Sequence, residues 1–85
     1  MIYTYIPKGV CSRKIDIELL EGNIIGDVVF TAGCEGNLKA IPKLIKGMPA
    51  EEVIAKLEGN TCGRRSTSCA DQLTKGLREA MEANK

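Results

Sequence analysis

Cys11, Cys34, Cys62 and Cys69 stand in a chain of 85 residues that has no histidine. Four thiols are what a closed tetrahedral zinc site needs, and equally what an iron–sulfur cluster or two disulfides need. The spacing is C-x22-C-x27-C-x6-C. It lacks the paired C-x-x-C knuckles of a zinc ribbon and is wider than the C-x-x-C of typical redox couples. With no histidine to serve as base, nucleophilic catalysis by a cysteine–histidine pair is excluded within one chain.

The settings of the thiols carry more than their spacing. Glycines flank Cys34 in Gly33-Cys34-Glu35-Gly36 and follow Cys62 in Thr61-Cys62-Gly63, and such glycines let a backbone approach a ligand closely. Cys34 lies between a strand-like and a helical segment, and Cys69 opens another helical run. Helix N-termini favour thiolate, the form that ligates metal or attacks. Three readings follow from the residues alone: buried thiols acting as small hydrophobes, a shared metal site, and disulfide or redox work. A zinc site of four thiolates would be structural, with no open position for substrate.

A second constellation, Gly63-Arg64-Arg65-Ser66-Thr67-Ser68, runs into the last helical segment. A glycine, two arginines, three hydroxyls and the amides of a helix start could cradle a phosphate, as in a nucleotide or flavin. The lysine of a P-loop is missing. The plainer reading, and the favoured one, is a solvated loop with an ordinary helix cap. Lys39, Lys43 and Lys46 share one helical face and read as a solvent-facing stripe.

Twelve basic and eleven acidic residues leave a net charge of +1, so no global field points to nucleic acid or membrane. The start, Met1-Ile2-Tyr3-Thr4-Tyr5-Ile6, lacks the basic opening and long apolar run of a signal peptide. No stretch approaches the roughly 20 apolar residues of a membrane span. A cytoplasmic location is therefore expected, where cysteine groups more often bind metal or do redox work than form disulfides. With 44% apolar residues, no Trp, one Phe and two Tyr, the core of this single domain, residues 1–85, should be aliphatic and thin. A staple or a homodimer contact would help it.

The elements that must position the thiols follow from periodicity. Residues 2–6 are β-prone until Pro7. Ile15 to Leu19 alternates as a half-buried strand, Glu21-Gly22-Asn23 signals a turn, and Ile24 to Thr31 returns as a second strand. Leu38, Ile41, Leu44 and Ile45 have helical spacing before Gly47, with Pro42 predicting a kink or a later start. Pro49 suits the first position of a short helix through Leu57, ended by Gly59 and carrying a Glu52–Lys56 pair. Ser68 and Asp71 have capping-box spacing, and Cys69, Leu73, Leu77 and Met81 then share one core-facing stripe. The prediction is an α+β fold: a β-hairpin or three-stranded antiparallel sheet followed by three helices.

Gly33-Cys34-Glu35-Gly36-Asn37-Leu38, Gly59-Asn60-Thr61-Cys62-Gly63 and Thr67-Ser68-Cys69-Ala70-Asp71-Gln72-Leu73 together resemble the TSCPD domain. That domain ends many adenosylcobalamin-dependent ribonucleotide reductases and also occurs as small stand-alone four-cysteine proteins. The resemblance runs from about Gly9 to Leu77, with Ala70 where the name-giving motif has proline. It implies that Cys11, Cys34, Cys62 and Cys69 are the ligands of one metal, zinc first and an iron–sulfur cluster second. It also implies an association with ribonucleotide reduction, through a reductase-type protein or a nucleotide-type ligand. Relatives are often labelled ribonucleoside-diphosphate reductase, yet 85 residues cannot house that radical chemistry. An accessory or binding module, not catalytic alone, is expected. A thiol relay is the redox alternative.

Overall fold

The computed structural model describes residues 1–10, 12–32, 35–60 and 67–84, with backbone alone at 35–38. Three strands come first: β1 (Ile2–Tyr5), β2 (Lys14–Leu20) and β3 (Ile24–Thr31). Three helices follow: α1 (Glu35–Ile45), α2 (Ala50–Leu57) and α3 (Cys69–Ala83). The sheet is antiparallel in the order β1-β2-β3. This is the α+β arrangement that the alternation and helical spacing predict.

Alternation sets the two faces of the sheet. Ile15, Ile17 and Leu19 of β2 are fully buried and lie opposite Phe30, Val28 and Ile25 of β3. Tyr3 and Tyr5 of β1 sit opposite Ile17 and Ile15 and pack against the same core. The β2–β3 turn passes through Gly22 and Asn23 at φ +77° and +59°, the left-handed region that glycine and asparagine tolerate. The register shifts between Ile17 and Leu19. There the Glu18 carboxylate accepts the Asp27 amide at 3.1 Å and occupies the space that a side chain at Gly26 would need.

The helices cover the buried face. Leu73, Leu77 and Ala80 of α3 are fully buried against the sheet, with Met81 at the margin. Gly76 brings α3 close: an added Cβ would lie 3.0 Å from Ile17 Cδ1 and from Tyr5 Cβ. Val53 and Ile54 bring α2 into the same cluster, and Ile45 brings α1. The core proper is aliphatic, as the composition predicts, with the aromatic rings only packed around it.

Two expectations change in α1. The helix runs from Glu35 through Pro42 to Ile45, so it does not start late. Proline at the eighth of its eleven residues removes one donor from the ladder, a loss of a single bond that does not stop the helix from running on to Ile45. Leu44, grouped by spacing with Ile41 and Ile45, is 76% exposed. The helix meets β3 along a narrower stripe than the spacing implies. Lys39, Lys43 and Lys46 are exposed as expected, with Lys46 3.1 Å from Asp27.

Between α1 and α2 the chain straps the start of β3. The Ile25 amide donates to Met48 O (2.9 Å), Gly47 N donates to Ile25 O (2.8 Å) and Ala50 N donates to Asn23 O (2.9 Å). Ile24 forms an isolated bridge with Pro49. Pro49 stands just before α2 at φ −62°, the preset geometry that suits a helix entry. Glu52 and Lys56 pair at 3.6 Å.

Candidate functional site at the start of helix α3

Cys69 is the first residue of α3 and is partly exposed. Ser68 caps the helix in extended conformation, its Oγ accepting the Asp71 amide at 3.1 Å. This satisfies one of the amides that a helix start leaves open. The other half of the expected capping box differs. Asp71, a carboxylate one methylene shorter than Glu, does not reach back; its Oδ1 accepts the Gly59 amide at 2.7 Å and its Oδ2 accepts the Thr67 hydroxyl. The Thr67 hydrogen bond first, and the Gly59 amide second, hold its carboxyl below the usual carboxylate range.

Around this buried carboxylate the polar groups are closely matched. Thr67 Oγ1 accepts from Gln72 Nε2 at 3.0 Å. Gln72 Oε1 in turn accepts the Tyr5 hydroxyl at 3.1 Å and the Lys8 amide at 3.0 Å. Burial first, then the charge of Glu79, raises the Tyr5 phenol above its ordinary pKa, which keeps it a donor. Ser68 Oγ donates to Asn60 O at 2.5 Å and accepts from Asn60 Nδ2 at 3.3 Å. Among the described residues no buried side-chain nitrogen or oxygen lacks a partner.

Buried Ser12 donates its hydroxyl to Cys69 Sγ at 3.3 Å. Gly9, at φ +71°, packs toward the Thr67 methyl. Lys8, Gly9 and Ser12 therefore lie along the first turn of α3, and Gly59 and Asn60 lie on it from the α2 side. β3 ends beside the same region, with the Arg13 amide donating to Thr31 O at 2.8 Å. Ala32 follows in the left-handed region at φ +65°.

Of the residues singled out by sequence, Thr67, Ser68 and Cys69 are in this cluster. Cys11, Cys34, Cys62, Gly63, Arg64, Arg65 and Ser66 lie outside the described residues. Among the described residues no group of three or more potential ligands gathers to hold a metal ion. The Thr67 and Ser68 hydroxyls, candidates for a phosphate, are both engaged within the fold. Sequence reasoning missed Ser12, Asn60 and the tethering role of Asp71. Ser12 adjoins Cys11 and Asn60 stands two residues before Cys62, and a small polar residue within two positions of a thiol is the signal that could have found them.

A family model, the TSCPD domain, matches residues 1–81. The chain belongs to the TSCPD-domain family. The match takes in the whole sheet and nearly all of α3, beyond the segment that carries the motifs. No curated protein and no solved structure matches the chain. Among the described residues of this TSCPD domain, no helix is long and apolar enough to cross a membrane.

Proposed function

We propose that this TSCPD domain is a four-cysteine module in which Cys11, Cys34, Cys62 and Cys69 hold one metal ion, zinc, and that it serves as a non-catalytic accessory or binding domain. The carrying observation is the Ser12–Cys69 contact at 3.3 Å. It draws the sequence neighbour of Cys11 to the sulfur at the start of α3. Two further contacts support the reading. Asn60, two residues before Cys62, is bound to Ser68, the neighbour of Cys69. β3, which ends three residues before Cys34, is paired at Thr31 with Arg13. Described neighbours of Cys11 and Cys62 thus touch the first turn of α3, and the end of β3 is joined to Arg13, next to Ser12.

The donor chemistry fits. Four thiolates and no histidine make a closed, structural type of site, and a serine hydroxyl donating to one sulfur is the kind of outer contact that orients metal-bound thiolates. When bound, zinc would cross-link segments whose described residues are joined by polar contacts such as Ser12–Cys69 and Asn60–Ser68. The proposed partner is a reductase-type protein or a nucleotide-type ligand, as family resemblance suggests. The phosphate reading through Gly63 to Ser68 is weaker. The first turn of α3 already contains a buried carboxylate, Asp71, and both hydroxyls are committed, so an added anion would meet negative charge where amides should greet it.

Elemental analysis of protein purified anaerobically without added metal, with a thiol count before and after denaturing chelation, tests this. Near-stoichiometric zinc, and four thiols appearing only after chelation, is the expected result. Metal-free protein with four thiols reactive at once overturns it. Stoichiometric iron with acid-labile sulfide would replace zinc by a cluster.

A further inference from the structure

The sheet has one open side. β1 pairs only with β2 among the described residues. Met1 and Leu19 exchange both backbone hydrogen bonds, at 2.9 and 3.0 Å. Alternation along an antiparallel ladder then turns Tyr3 and Tyr5 toward β2, and the amides and carbonyls of Ile2 and Thr4 toward solvent. Ile6 continues the alternation directly before Pro7, where a residue is held extended. Ile2 is 70% exposed and Ile6 61%. Most sheet edges are protected by charge, proline or a covering segment; here two isoleucines flank the open groups.

The two ends of this edge differ in a way that suits a copy of itself. Beside the edge runs a groove lined by Thr4, Tyr5, Ile6, Lys8, Lys75 and Glu79, among others. Glu79 lies at the Ile2 end, accepting the Tyr3 hydroxyl at 2.6 Å. Lys8 lies at the Ile6 end, its amide bound to Gln72, about two turns nearer the start of α3 than Glu79. Lys75 falls between them on the helix. A two-fold axis through Thr4 would reverse the strand and set Ile2 opposite Ile6 of the partner, Thr4 opposite Thr4, and the acidic end of one groove beside the basic end of the other.

We propose that the β1 edge is a homodimer interface, in which two copies of this chain pair antiparallel about Thr4 to form a continuous six-stranded sheet. Self-complementarity decides for a second copy: the two isoleucines are symmetric about Thr4 and the end charges, Glu79 and Lys8, are antisymmetric, as suits an isologous contact, with Lys75 near the axis the one like-charge neighbour. Directly opposed β-branched residues are favourable cross-strand pairs, and like charges directly opposed are not. The proposal is independent of the metal reading, because none of its residues adjoins a cysteine.

Sedimentation equilibrium over about a hundredfold concentration range, with the full chain, tests it through two double variants. Ile2→Lys with Ile6→Lys sets lysine against lysine at both ends and should raise the dimer Kd by about tenfold or more. Ile2→Lys with Ile6→Glu carries equally polar residues, but the same register opposes unlike charges, and dimerisation should return. Every substitution falls on one of two exposed positions, and circular dichroism melts confirm that the variants fold. As a second readout, the Ile2 and Thr4 amides should slow their hydrogen exchange as concentration rises. A monomer at every concentration overturns the proposal and leaves the edge to a strand from a different protein. Equal weakening by both double variants, or a dimer indifferent to both, overturns the register and with it the interface.

Discussion

Helix α3 joins two kinds of structure. From Leu73 to Ala80 it is held chiefly by apolar contact: Leu73, Leu77 and Ala80 are fully buried, and Gly76 lets the backbone lie against Ile17 and Tyr5, while Arg78 and Glu79 add surface bonds to Glu58 and Tyr3. From Thr67 to Gln72 it is held by hydrogen bonds among Asp71, Thr67, Ser68, Gln72, Asn60, Gly59 and Lys8. Apolar contact is tolerant of small shifts, because its energy follows area. The polar end has many partners that must all be met at once, since a buried group left unpaired costs more than a made hydrogen bond returns. That end also carries Cys69. One end of the helix makes the domain stable, and the other makes a particular geometry.

The sharpest break in the comparison comes from the thiols. In zinc-loaded protein, Cys→Ser at 11, 34, 62 or 69 should lower unfolding free energy by several kcal/mol, comparably at all four positions. After chelation the loss should shrink, because the reference protein has lost the same bonds. Urea unfolding with and without chelator measures both. A loss confined to Cys62 and Cys69 would favour a redox pair instead.

Leu77→Ala probes the other end. It removes a fully buried side chain and should cost about 2–5 kcal/mol, equally in the presence and absence of chelator. Sensitivity of that loss to chelator would mean that the two ends are not separable.

Asp71→Asn should cost about 1–3 kcal/mol, since it weakens acceptors for a backbone amide and a hydroxyl in a buried position. The pH dependence has a definite sign. The carboxyl of Asp71 is held below its ordinary pKa in the folded state, so its stabilisation is complete above about pH 4, the unfolded value. It fades as pH falls through the lowered folded value. Wild type and Asp71→Asn should therefore converge in acid, which unfolding curves at a series of pH values would show. Ser68→Ala removes the cap and should cost about 1 kcal/mol. Smallest of all, Glu52→Ala removes an exposed pair of α2 and should cost only about 0.3 kcal/mol, less in high salt.

The apolar end was the legible one. Ile15, Ile17 and Leu19 alternate, Leu73 and Leu77 recur at helical spacing, and both patterns report local geometry that sequence encodes directly. Leu44 shows the limit, because spacing alone cannot say how wide a stripe the neighbouring strand will cover. Pro42 shows another: one missing donor does not by itself end a helix whose other residues pack on a neighbouring strand. At the polar end, the cap at Ser68 could be read, since it is a local contact. Ser12 could not, because its contact with Cys69 joins residues far apart in the chain. Asp71 was misjudged because its shorter carboxylate turns to the Thr67 hydroxyl, just before the cap, and to the Gly59 amide twelve residues back, instead of to the amide of Ser68. The thiol set rests on the family pattern together with these neighbours, and only Cys69 has its own surroundings described.

The strap at residues 47–50 has a consequence for assembly. By filling the start of the β3 edge, it makes the two sides of the sheet unequal, one partly stoppered and the other open. Pairing through β1 would consume the open side of both molecules, and a third copy reaching the far side would have to strip backbone bonds from Ile25 to pair along the full length of β3. Growth by strand addition would then be self-limiting, yielding a closed particle where an unstoppered sheet of the same size would be a seed for fibres.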